Sequence, residues 1–462
     1  MRYRILTTDF LVGYAEVNIN PPLGIGMHGY YVPRYAKGFI DDLTASAISL
    51  SKCGKRFLIV SVDNCSVSAE LTKRCKIAIE KASGIPASNV FLSATHTHTG
   101  PFSAPTTAFE VDEEKINGYV DFLVNRIADL SVIAKNDEKA AKMGYATGYA
   151  PDRISYIRRY KMKDGTTQTC PPINDPNIDH PIGELDRRVP VIRFDREGAS
   201  SVVILNYGIH TDTIGGERIS SDFCGWMKRT LKAALDGVDS MFIPGIQGDV
   251  GSTNVHPLPG DMNDTEISFD NEMKSPGMAR FIGRALAGTV LQVFDKVAYV
   301  DVDDISLISK DLAVEANIPT KEELVLAKKY KELHDSGRDD LIPFEAMELS
   351  TVVAEALRMV RLENGPSHFH LEILGLKLGP IAMIGIPGQP FTPVGVAIKD
   401  TPGWDMIIPS SMTNGNDGYF PMLDSYKEGG YEARTSSYKA GVSEAIIECS
   451  KKILRELGEN SK

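Results

Sequence analysis

The sequence predicts an α/β fold in which a mixed β-sheet core is flanked by helices. Two observations support this prediction. A strand at 56–62, a helix at 66–81 and a second strand at 90–94 follow one another, and this βαβ order is typical of α/β proteins. Helices recur along the rest of the chain, at 114–135, 223–235, 278–296 and 440–457, and the first and last of them are amphipathic.

The composition is that of an ordinary globular protein with an acidic balance. The chain has 462 residues, of which 42% are hydrophobic and 24% charged, and its net charge is −11. This charge argues against nucleic acid or an anionic membrane surface as the main partner. No run of about 18 apolar residues occurs, so we expect no membrane-spanning segment.

The N-terminus bears on where the protein is found. The basic start at 1–4 is followed by a stretch that is too short and too polar for a signal-peptide core. We therefore expect a cytoplasmic protein if this N-terminus is native. Otherwise we expect a secreted or periplasmic protein from which a signal peptide was removed.

Three candidate substrate contacts lie early in the chain. The first strand ends at a double proline and leads into a glycine-rich loop that holds His28 and Tyr30. Such loops let a ligand approach the backbone, although many only turn a corner. Asp63 follows the buried strand 56–62, and polar residues at strand ends often line α/β sites. The alternative for Asp63 is a cap of the helix that follows.

Two histidines follow the strand 90–94. Residues two apart on a strand project to the same face, so His96 and His98 would point together from its end. Paired imidazoles at a strand end suggest the beginning of a metal site. The alternative is a polar strand end in which the histidines only bond to backbone carbonyls.

A basic cluster occupies the middle of the chain and includes Arg153 and Arg158. In an acidic protein, arginines between strand signals are candidates for binding an anion or a carbonyl oxygen. The strand 156–162 would enter a hairpin through a turn at 164–165, and 170–181 would be a long loop.

Two further apolar strands also end in polar residues. The strand 201–207, which would pair with 189–194, is followed by His210, and the strand 241–246 is followed by Asp249. Three strands thus deliver polar side chains at their carboxyl ends. A third strand-end histidine favours a metal site over a capped strand end.

The C-terminal part is predicted to contain a strand at 297–309, a helical excursion at about 318–365, and a hairpin of strands at 369–378 and 381–386. No linker or change of composition separates these elements from the rest. The whole chain, 1–462, is therefore predicted to be a single domain, and its oligomeric state is left open.

Six motifs occur in a characteristic order. They are Asn20-Pro21-Pro22, Ala94-Thr95-His96-Thr97-His98-Thr99-Gly100-Pro101, Asn206-Tyr207-Gly208-Ile209-His210, Gly248-Asp249-Val250, Pro387-Gly388, and Asn414 to Tyr419. This order resembles the catalytic N-terminal domain of the neutral/alkaline non-lysosomal ceramidases, over about Val12 to Tyr438. The resemblance implies that the C-terminal immunoglobulin-like domain of full-length ceramidases is absent from this sequence.

The resemblance implies a zinc amidase with one zinc per chain, which cleaves the N-acyl bond of ceramide or of another small-molecule or lipid-like N-acyl substrate. It also implies a role in sphingolipid and lipid metabolism and a bacterial source. The implied zinc ligands are His96, His210, Gln389 and Tyr419. The implied catalytic residues are His98, Arg158 (with Arg153 as the alternative) and Ser252. The expected substrate contacts are His28, Tyr30, Asp63 and Asp249.

Two positions depart from the ceramidase pattern. Gln389 stands where the family has a glutamate ligand, and a neutral amide should bind zinc more weakly. Gly251 stands where the family has its serine nucleophile, so either Ser252 or a zinc-bound water would attack. Two alternatives therefore stay open. One is a weak or inactive homologue that binds a ligand in the same pocket, and the other is a metal-dependent hydrolase of a non-lipid substrate.

Overall fold

The computed structural model of the chain describes residues 9–104, 111–261 and 274–459. The basic start at 1–4, on which the expected location depends, lies outside these residues. In the part that is described, no helix is both long and apolar enough to cross a membrane.

The strands alternate with helices along most of the chain. The strands are β1 (Leu11–Asn18), β2 (Gly38–Phe39), β3 (Thr44–Lys52), β4 (Lys55–Val62), β5 (Val90–Ala94), β6 (Lys139–Tyr149), β7 (Tyr156–Ile157), β8 (Arg159–Met162), β9 (Thr167–Thr169), β10 (Ile178–Pro181), β11 (Arg188–Arg196), β12 (Val202–Tyr207), β13 (Arg218–Ile219), β14 (Asp239–Pro244), β15 (Val250–Gly251), β16 (Ala298–Val300), β17 (Ile305–Glu315), β18 (His368–Leu378), β19 (Ile381–Gly385), β20 (Gln389–Pro390), β21 (Met406–Ser410) and β22 (Tyr419–Phe420).

The helices are α1 (Ala69–Ser83), α2 (Glu113–Asn136), α3 (Asp222–Ala234), α4 (Pro276–Val293), α5 (Lys321–Asp335), α6 (Ala346–Leu362), α7 (Thr392–Lys399), α8 (Ser425–Glu428), α9 (Tyr431–Thr435) and α10 (Val442–Glu459). Helices α5 and α6 occupy the predicted helical excursion. A capping box opens α5, since Thr320 and Glu323 bond to each other's backbone N–H.

The main sheet is mixed. Among the described residues it has nine strands, in the order β14-β12-β11-β6-β1-β3-β4-β5, with β16 beside β6. The pairs β4/β5 and β12/β14 are parallel, whereas β1/β3, β3/β4, β11/β12 and β6/β11 are antiparallel. The predicted α/β class with a mixed sheet and flanking helices is therefore confirmed.

The two faces of the main sheet pack against different layers. On β4, Leu58 and Val60 lie in the core beneath α1 and α2, whereas Ile59 lies in the core on the opposite face. This period of two is expected for a strand that is buried on both sides. Helices α3 and α4 cover the other half of the same face as α1 and α2.

A second sheet covers the opposite face. Its strands run in the order β17-β18-β19-β21. Leu374 and Leu376 on β18 pack toward the main sheet, and Ile373 packs toward α7 and α10. The layers are therefore helices, main sheet, second sheet and helices, and the predicted hairpin of β18 and β19 lies in the interior.

Three predicted elements differ from the structure. The predicted strand 156–162 is broken at Arg158 into β7 and β8, because β7 pairs with β15 whereas β8 pairs with β9 and β10. The predicted strand 297–309 is divided into β16 and β17, which belong to different sheets. The predicted long loop at 170–181 contains the strand β10.

The two ends of the strand order approach each other, which brings β5 close to β14. Ser61 on β4 donates a hydrogen bond to the backbone carbonyl of Phe242 on β14, at 2.7 Å. The backbone of Met412 accepts from Ala94, and Ser411 donates to the carbonyl of Pro244 at 3.1 Å. The carboxyl ends of β5, β12 and β14 consequently meet at one place.

Gly208 is needed where two of these strand ends meet. A Cβ atom at Gly208 would lie 2.0 Å from the backbone oxygen of Ile246, which cannot move without shifting the end of β14. We expect Gly208→Ala to lower stability by about 1–3 kcal/mol through this overlap. The measurement is the midpoint of thermal unfolding.

Gly118→Ala is the matched control. Gly118 lies in α2, and its added Cβ would meet nothing within 4 Å. Alanine there should stabilise the helix by about 0.5–1 kcal/mol. A Gly208→Ala protein that melts as high as the Gly118→Ala protein would contradict the close approach of the strand ends.

Candidate metal centre

The strand ends open into a cavity of about 520 Å³, here called the central cavity. Several residues that the sequence predicted as site residues line it. They are His28, Tyr30, His96, His98, Gln389 and Tyr419. His96 and His98 are buried, with 3% and 9% of their surface exposed.

Backbone hydrogen bonds hold the histidine-bearing segments together. The N–H of His98 donates to the carbonyl of Thr211 at 3.0 Å, and the hydroxyl of Thr211 donates to the carbonyl of Thr95 at 2.6 Å. The N–H of His210 donates to the carbonyl of Val250 at 3.1 Å. The segments that follow β5, β12 and β14 therefore form one connected unit.

His96 adopts a conformation that few residues other than glycine adopt. Its φ angle is +69°, in the left-handed region. Strain of this kind costs about 1–3 kcal/mol and persists where the surrounding structure imposes it, often at functional sites. Here the N–H of His96 donates to the carbonyl of Asn64 at 2.9 Å, which holds this backbone conformation, and the imidazole lines the central cavity.

The imidazoles of His96 and His210 face each other through Nε2 atoms 3.3 Å apart. Nδ1 of His96 lies 2.7 Å from the carbonyl of Cys65, and Nδ1 of His210 lies 3.1 Å from the carbonyl of Gln247. A carbonyl oxygen only accepts, so each Nδ1 carries the proton and each Nε2 presents a lone pair. Two lone pairs at this distance repel unless a cation lies between them.

The separation of these nitrogens fits a zinc ion. Two nitrogens that each lie about 2.0–2.1 Å from a tetrahedral zinc are about 3.3 Å apart. A metal-bound histidine also commonly donates its other N–H to a backbone carbonyl, as both histidines do here. The donors therefore fit a zinc ion.

The histidines are held neutral, which is the form that binds metals. Burial lowers the pKa of His96 to about 4. Burial also lowers the pKa values of His98 and His210 well below the usual value, and neighbouring charges add to the effect. A neutral imidazole keeps the lone pair that a metal needs.

Cys65 is a further potential ligand that the sequence did not suggest. Potential ligand atoms of Cys65, His96 and His98 lie within 4.8 Å of one another. Burial raises the pKa of the Cys65 thiol to about 12, so the thiol is protonated until a metal displaces the proton. Its sulfur lies 3.9 Å from Nδ1 of His96, which is the protonated nitrogen. Cys65 is therefore beside Nδ1 of His96, whereas His98 and His210 both face its Nε2.

Gln389 and Tyr419 lie side by side next to His96 and His210. They are direct partners in the parallel pairing of β20 and β22, so their side chains project to the same face. The side-chain oxygen of Gln389 is buried and accepts no hydrogen bond. The hydroxyl of Tyr419 lies 3.5 Å from Nε2 of His210. A buried oxygen without a donor, in the same cavity wall as His96, is what a metal site would contain.

Arg158 reaches the same place from the break between β7 and β8. Its Nη2 donates to the hydroxyl of Tyr419 at 2.9 Å, and its Nη1 lies 3.5 Å from Nε2 of His210. Its Nε forms an ion pair with the fully buried Glu432 at 2.6 Å, and Thr169 donates to the other oxygen of that carboxylate. The guanidinium is thus fixed at the edge of the histidine group.

His98 is surrounded by charged groups. Its Nδ1 lies 3.6 Å from a carboxylate oxygen of Asp212, and its Nε2 lies 3.2 Å from Nε2 of His96. Asp212 accepts hydrogen bonds from Tyr30 at 2.6 Å and from the buried Lys274 at 2.9 Å. Gly29 permits this packing, because a Cβ there would lie 2.8 Å from the His98 ring. The ring of His98 is therefore held on several sides.

His28 lies in the wall of the central cavity. Its ring stacks on Phe102 with centroids 4.9 Å apart, and its Nδ1 lies 3.4 Å from the hydroxyl of Ser66. Burial lowers the pKa of His28 to about 4. It shares this wall with His98 and Tyr30, and its contact with a substrate stays a prediction.

Five predicted residues are not among those that line the central cavity. Two of them, Arg158 and His210, contact residues that do, whereas the other three are placed differently. The carboxylate of Asp63 accepts from Thr44 and pairs with Lys228 at 3.5 Å, which ties the end of β4 to β3 and α3. The carboxylate of Asp249 accepts from the backbone and hydroxyl of Thr392. Ser252 is buried. For Asp63 and Asp249 the structure thus provides structural partners, and substrate contact stays a prediction.

Arg153, the alternative to Arg158, lies in a different place. It bonds to the carboxylate of Asp261 and to the carbonyl of Pro259 at 3.0 Å. Of the two arginines, Arg158 is the one in contact with His210 and Tyr419.

Sequence reasoning missed three residues that contact the site. Asp212 lies two positions after His210, and a carboxylate so close to a strand-end histidine was a usable signal. Lys274 and Glu432 reach the site from distant parts of the chain, and no local pattern marks either of them.

Comparison with known proteins finds matches to the structure but none to the sequence. No known protein family and no curated protein matches the sequence. The structure is similar to the crystal structure of neutral ceramidase from Pseudomonas aeruginosa, with a TM-score of 0.73 and 17% identity over 98% of this chain and 75% of that chain. It is also similar to a ceramidase complexed with C2, with a TM-score of 0.72 and 16% identity over 97% of this chain and 76% of that chain.

These similarities cover almost the whole of this chain. They include the layers of helices and sheets whose strand ends carry His96, His98 and His210. The resemblance predicted from the order of the motifs is thus confirmed at the level of the fold, and the chain is a protein of neutral ceramidase-like fold.

Proposed function

We propose that this protein is a zinc-dependent hydrolase of an N-acyl (amide) bond. The observation that carries the proposal is the pair of Nε2 lone pairs of His96 and His210, 3.3 Å apart, each fixed by a carbonyl behind its ring. The neutral ceramidase-like fold supports the choice of an amide as the scissile bond.

Four side chains would hold one zinc ion: His96, His210, Gln389 and Tyr419. When bound, zinc supplies a Lewis acid that polarises the amide carbonyl and makes water more acidic. The amide requires such help because its carbonyl is a poor electrophile and its amine a poor leaving group. His98, whose Nε2 also faces this group, is assigned to proton transfer rather than to the ligand set.

Arg158 would stabilise the charge that develops on the carbonyl oxygen. Its guanidinium is already aligned by Glu432 and Tyr419, so it needs no reorganisation during the reaction. A prealigned donor of this kind is worth about 3–4 kcal/mol in comparable sites. The buried carboxylate of Glu432 keeps the guanidinium charged and in place.

His98 would accept a proton from the attacking water at Nε2 and return it to the amine nitrogen as the C–N bond breaks. Asp212 faces Nδ1 at 3.6 Å and would hold the proton on that nitrogen. This role is of the kind that a carboxylate has when it orients a catalytic histidine. The surrounding Tyr30 and Lys274 keep Asp212 in position.

Water is a better candidate nucleophile than Ser252. A Cβ at Gly251 would face Arg158, 3.7 Å from its Cδ. Side chains alternate along a strand, so the side chain of Ser252 is expected to point away from Arg158. The position that would carry a serine nucleophile is therefore a glycine, and the space in front of it is left for water or substrate.

The metal site can be tested by mass spectrometry of protein purified without added metal. We expect about one zinc per chain in the wild type and little in His96→Ala, because the variant loses one of the two facing nitrogens. His180→Ala is the control, since His180 is exposed and bonds to Asp179. If the wild type holds far less than one zinc per chain and His96→Ala does not change this content, the proposed metal site is wrong.

The role of Gln389 can be tested by adding a charge. In Gln389→Glu a carboxylate replaces the neutral amide, so zinc should bind at least about tenfold more tightly. The measurement is the dissociation constant for zinc by competition with a chelator. Gln292→Glu, at an exposed position of α4, adds the same charge elsewhere. Equal affinities in the two variants would show that Gln389 is not a ligand.

The role of Arg158 can be tested by replacing it with lysine. Lysine keeps a positive charge next to Glu432 but lacks the planar guanidinium group. We expect Arg158→Lys to lower kcat on an N-acyl substrate by about 100-fold. Zinc content and the melting midpoint should change little. Arg153→Lys is the matched control, because Arg153 bonds to Asp261 instead. Equal kcat values in the two variants would remove Arg158 from the proposed reaction.

A panel of N-acyl compounds tests the activity itself. Hydrolysis of any member supports the proposal. If zinc is bound and no member is hydrolysed, the protein is instead a ligand-binding homologue.

A further inference from the structure

Two opposite charges in the wall of the central cavity have no partner of opposite sign among the described residues. Arg361 lies in the last turn of α6, and Asp417 lies just before β22; both line the cavity. The Nη2 of Arg361 donates to the hydroxyl of Ser437 at 2.6 Å, and no carboxylate of the described chain is within salt-bridge distance. An arginine has five N–H donors, so the bond to Ser437 leaves others available to a ligand in the cavity.

Asp417 is the negative member. Its backbone carbonyl accepts a hydrogen bond from Tyr438 at 2.6 Å, but no described side chain donates to its carboxylate. Burial raises the pKa of Asp417 to about 6. The side-chain oxygen of the adjacent Asn416 is also buried without a hydrogen bond. Two neighbouring acceptors thus face the cavity without a donor.

The two charges lie on the same part of the wall, near Tyr438. Arg361 donates to the hydroxyl of the preceding residue, Ser437, and the hydroxyl of Tyr438 donates to the backbone carbonyl of Asp417. Both residues are therefore close to Tyr438. Arg361 is exposed, whereas Asp417 is half-buried, and a partly buried carboxylate without a donor is costly unless a ligand supplies one.

Aromatic rings separate these charges from the candidate metal centre. The ring of Tyr419 lies 6.3 Å from His210, and the ring of Tyr431 lies 5.5 Å from Tyr419. The hydroxyl of Tyr431 bonds to that of Tyr31 at 2.8 Å, and the charge of Arg361 acts on the pKa of Tyr31. A ligand that reached both the histidines and Arg361 would have to pass along this wall.

Resting on the proposed amide hydrolysis, we propose that the substrate carries an amino-acid head group, joined by an aliphatic chain to the scissile amide. Arg361 binds the carboxylate of the head group, and Asp417 with Asn416 binds its ammonium group. The chain lies along the tyrosine rings and places the amide at the histidines. The substrate class is thus a diamino acid that is N-acylated on its side-chain nitrogen.

The reaction is an ordinary hydrolysis. The oxygen of water bonds to the acyl carbon, the C–N bond breaks, and a proton goes to the amine nitrogen. The products are a carboxylic acid and the free diamino acid, and no oxidant or other reactant is consumed.

Each charge taken alone has a simpler explanation. A positive side chain in the last turn of a helix interacts favourably with the helix dipole, and Arg361 has that position. Asp417 lies in a turn, where aspartate is common. These explanations do not predict that a ligand needs both charges, and this is the difference that an experiment can measure.

Four substrates that share one acyl group and one aliphatic chain distinguish binding of a charged head group from the simpler explanations. They are Nε-acyl-lysine, N-acyl-aminohexanoate with the carboxylate only, mono-N-acyl-cadaverine with the ammonium only, and neutral N-acyl-pentylamine. We expect kcat/KM for the first to exceed that for the last by roughly 100-fold, because each charged contact contributes. Equal values for all four in the wild type would overturn the proposal while leaving amide hydrolysis intact.

Two variants assign each charge to its residue. Arg361→Gln should lower the preference for a carboxylate roughly tenfold or more and keep the preference for an ammonium group, and Asp417→Asn should do the reverse. Arg338→Gln is the control, since Arg338 is exposed and pairs with Asp340. Variants that lower both preferences equally, or neither, would contradict the assignment.

Failure of the proposed function gives a different result. If none of the four compounds is hydrolysed, amide hydrolysis is wrong, and calorimetric binding of the same compounds still tests the head group. Tightest binding of Nε-acyl-lysine would support the inference, and equal or absent binding of all four would overturn it.

Discussion

The candidate metal centre depends on two imidazole lone pairs, on Nε2 of His96 and of His210, which the backbone holds facing each other. Nδ1 of His96 and Nδ1 of His210 are both committed to backbone carbonyls, so neither ring can turn a donor toward the other. The arrangement is unfavourable when nothing lies between the two Nε2 atoms and favourable around a cation. The two carbonyls belong to Cys65 and Gln247, which follow β4 and β14. The backbone of the sheet thereby sets the geometry of the site, and the side chains follow from it.

The sheet can impose this geometry because its strand ends approach more closely than side chains normally allow. Gly208 lies against the backbone of Ile246, and a Cβ at Gly248 would lie 2.4 Å from the backbone oxygen of Gln389. The left-handed conformation of His96 is a further cost, offset by the bonds of the adjoining strands. Glycine at the strand ends and strain at one histidine are thus parts of the same arrangement.

Patterns in short stretches of sequence predicted most strands and helices and the histidines at the strand ends. Alternation along a strand and the order βαβ are properties of such stretches. Features that depend on packing between distant elements could not be predicted in this way. The break at Arg158 arises because β7 and β8 join different sheets, and the pairing of Arg158 with Glu432 joins residues far apart in the chain. Lys274 could not be predicted as a site residue for the same reason, because it reaches Asp212 from a distant part of the chain. The second sheet was predicted only as a hairpin, since nothing local shows which face of the main sheet it covers.

The departure at Gln389 has a physical meaning within the proposed centre. A carboxylate at this position would neutralise part of the charge of a bound metal, whereas an amide leaves more of that charge to act on a carbonyl oxygen. Glutamine in place of glutamate would therefore both weaken the binding of the metal and strengthen its polarisation of a carbonyl oxygen. Arg158 adds a second positive group on the same side, and Gly251 opens space beside it. Arg361 lies apart from this centre, beyond the rings of Tyr419 and Tyr431, so the head group and the scissile amide of the proposed substrate would meet different parts of the cavity wall.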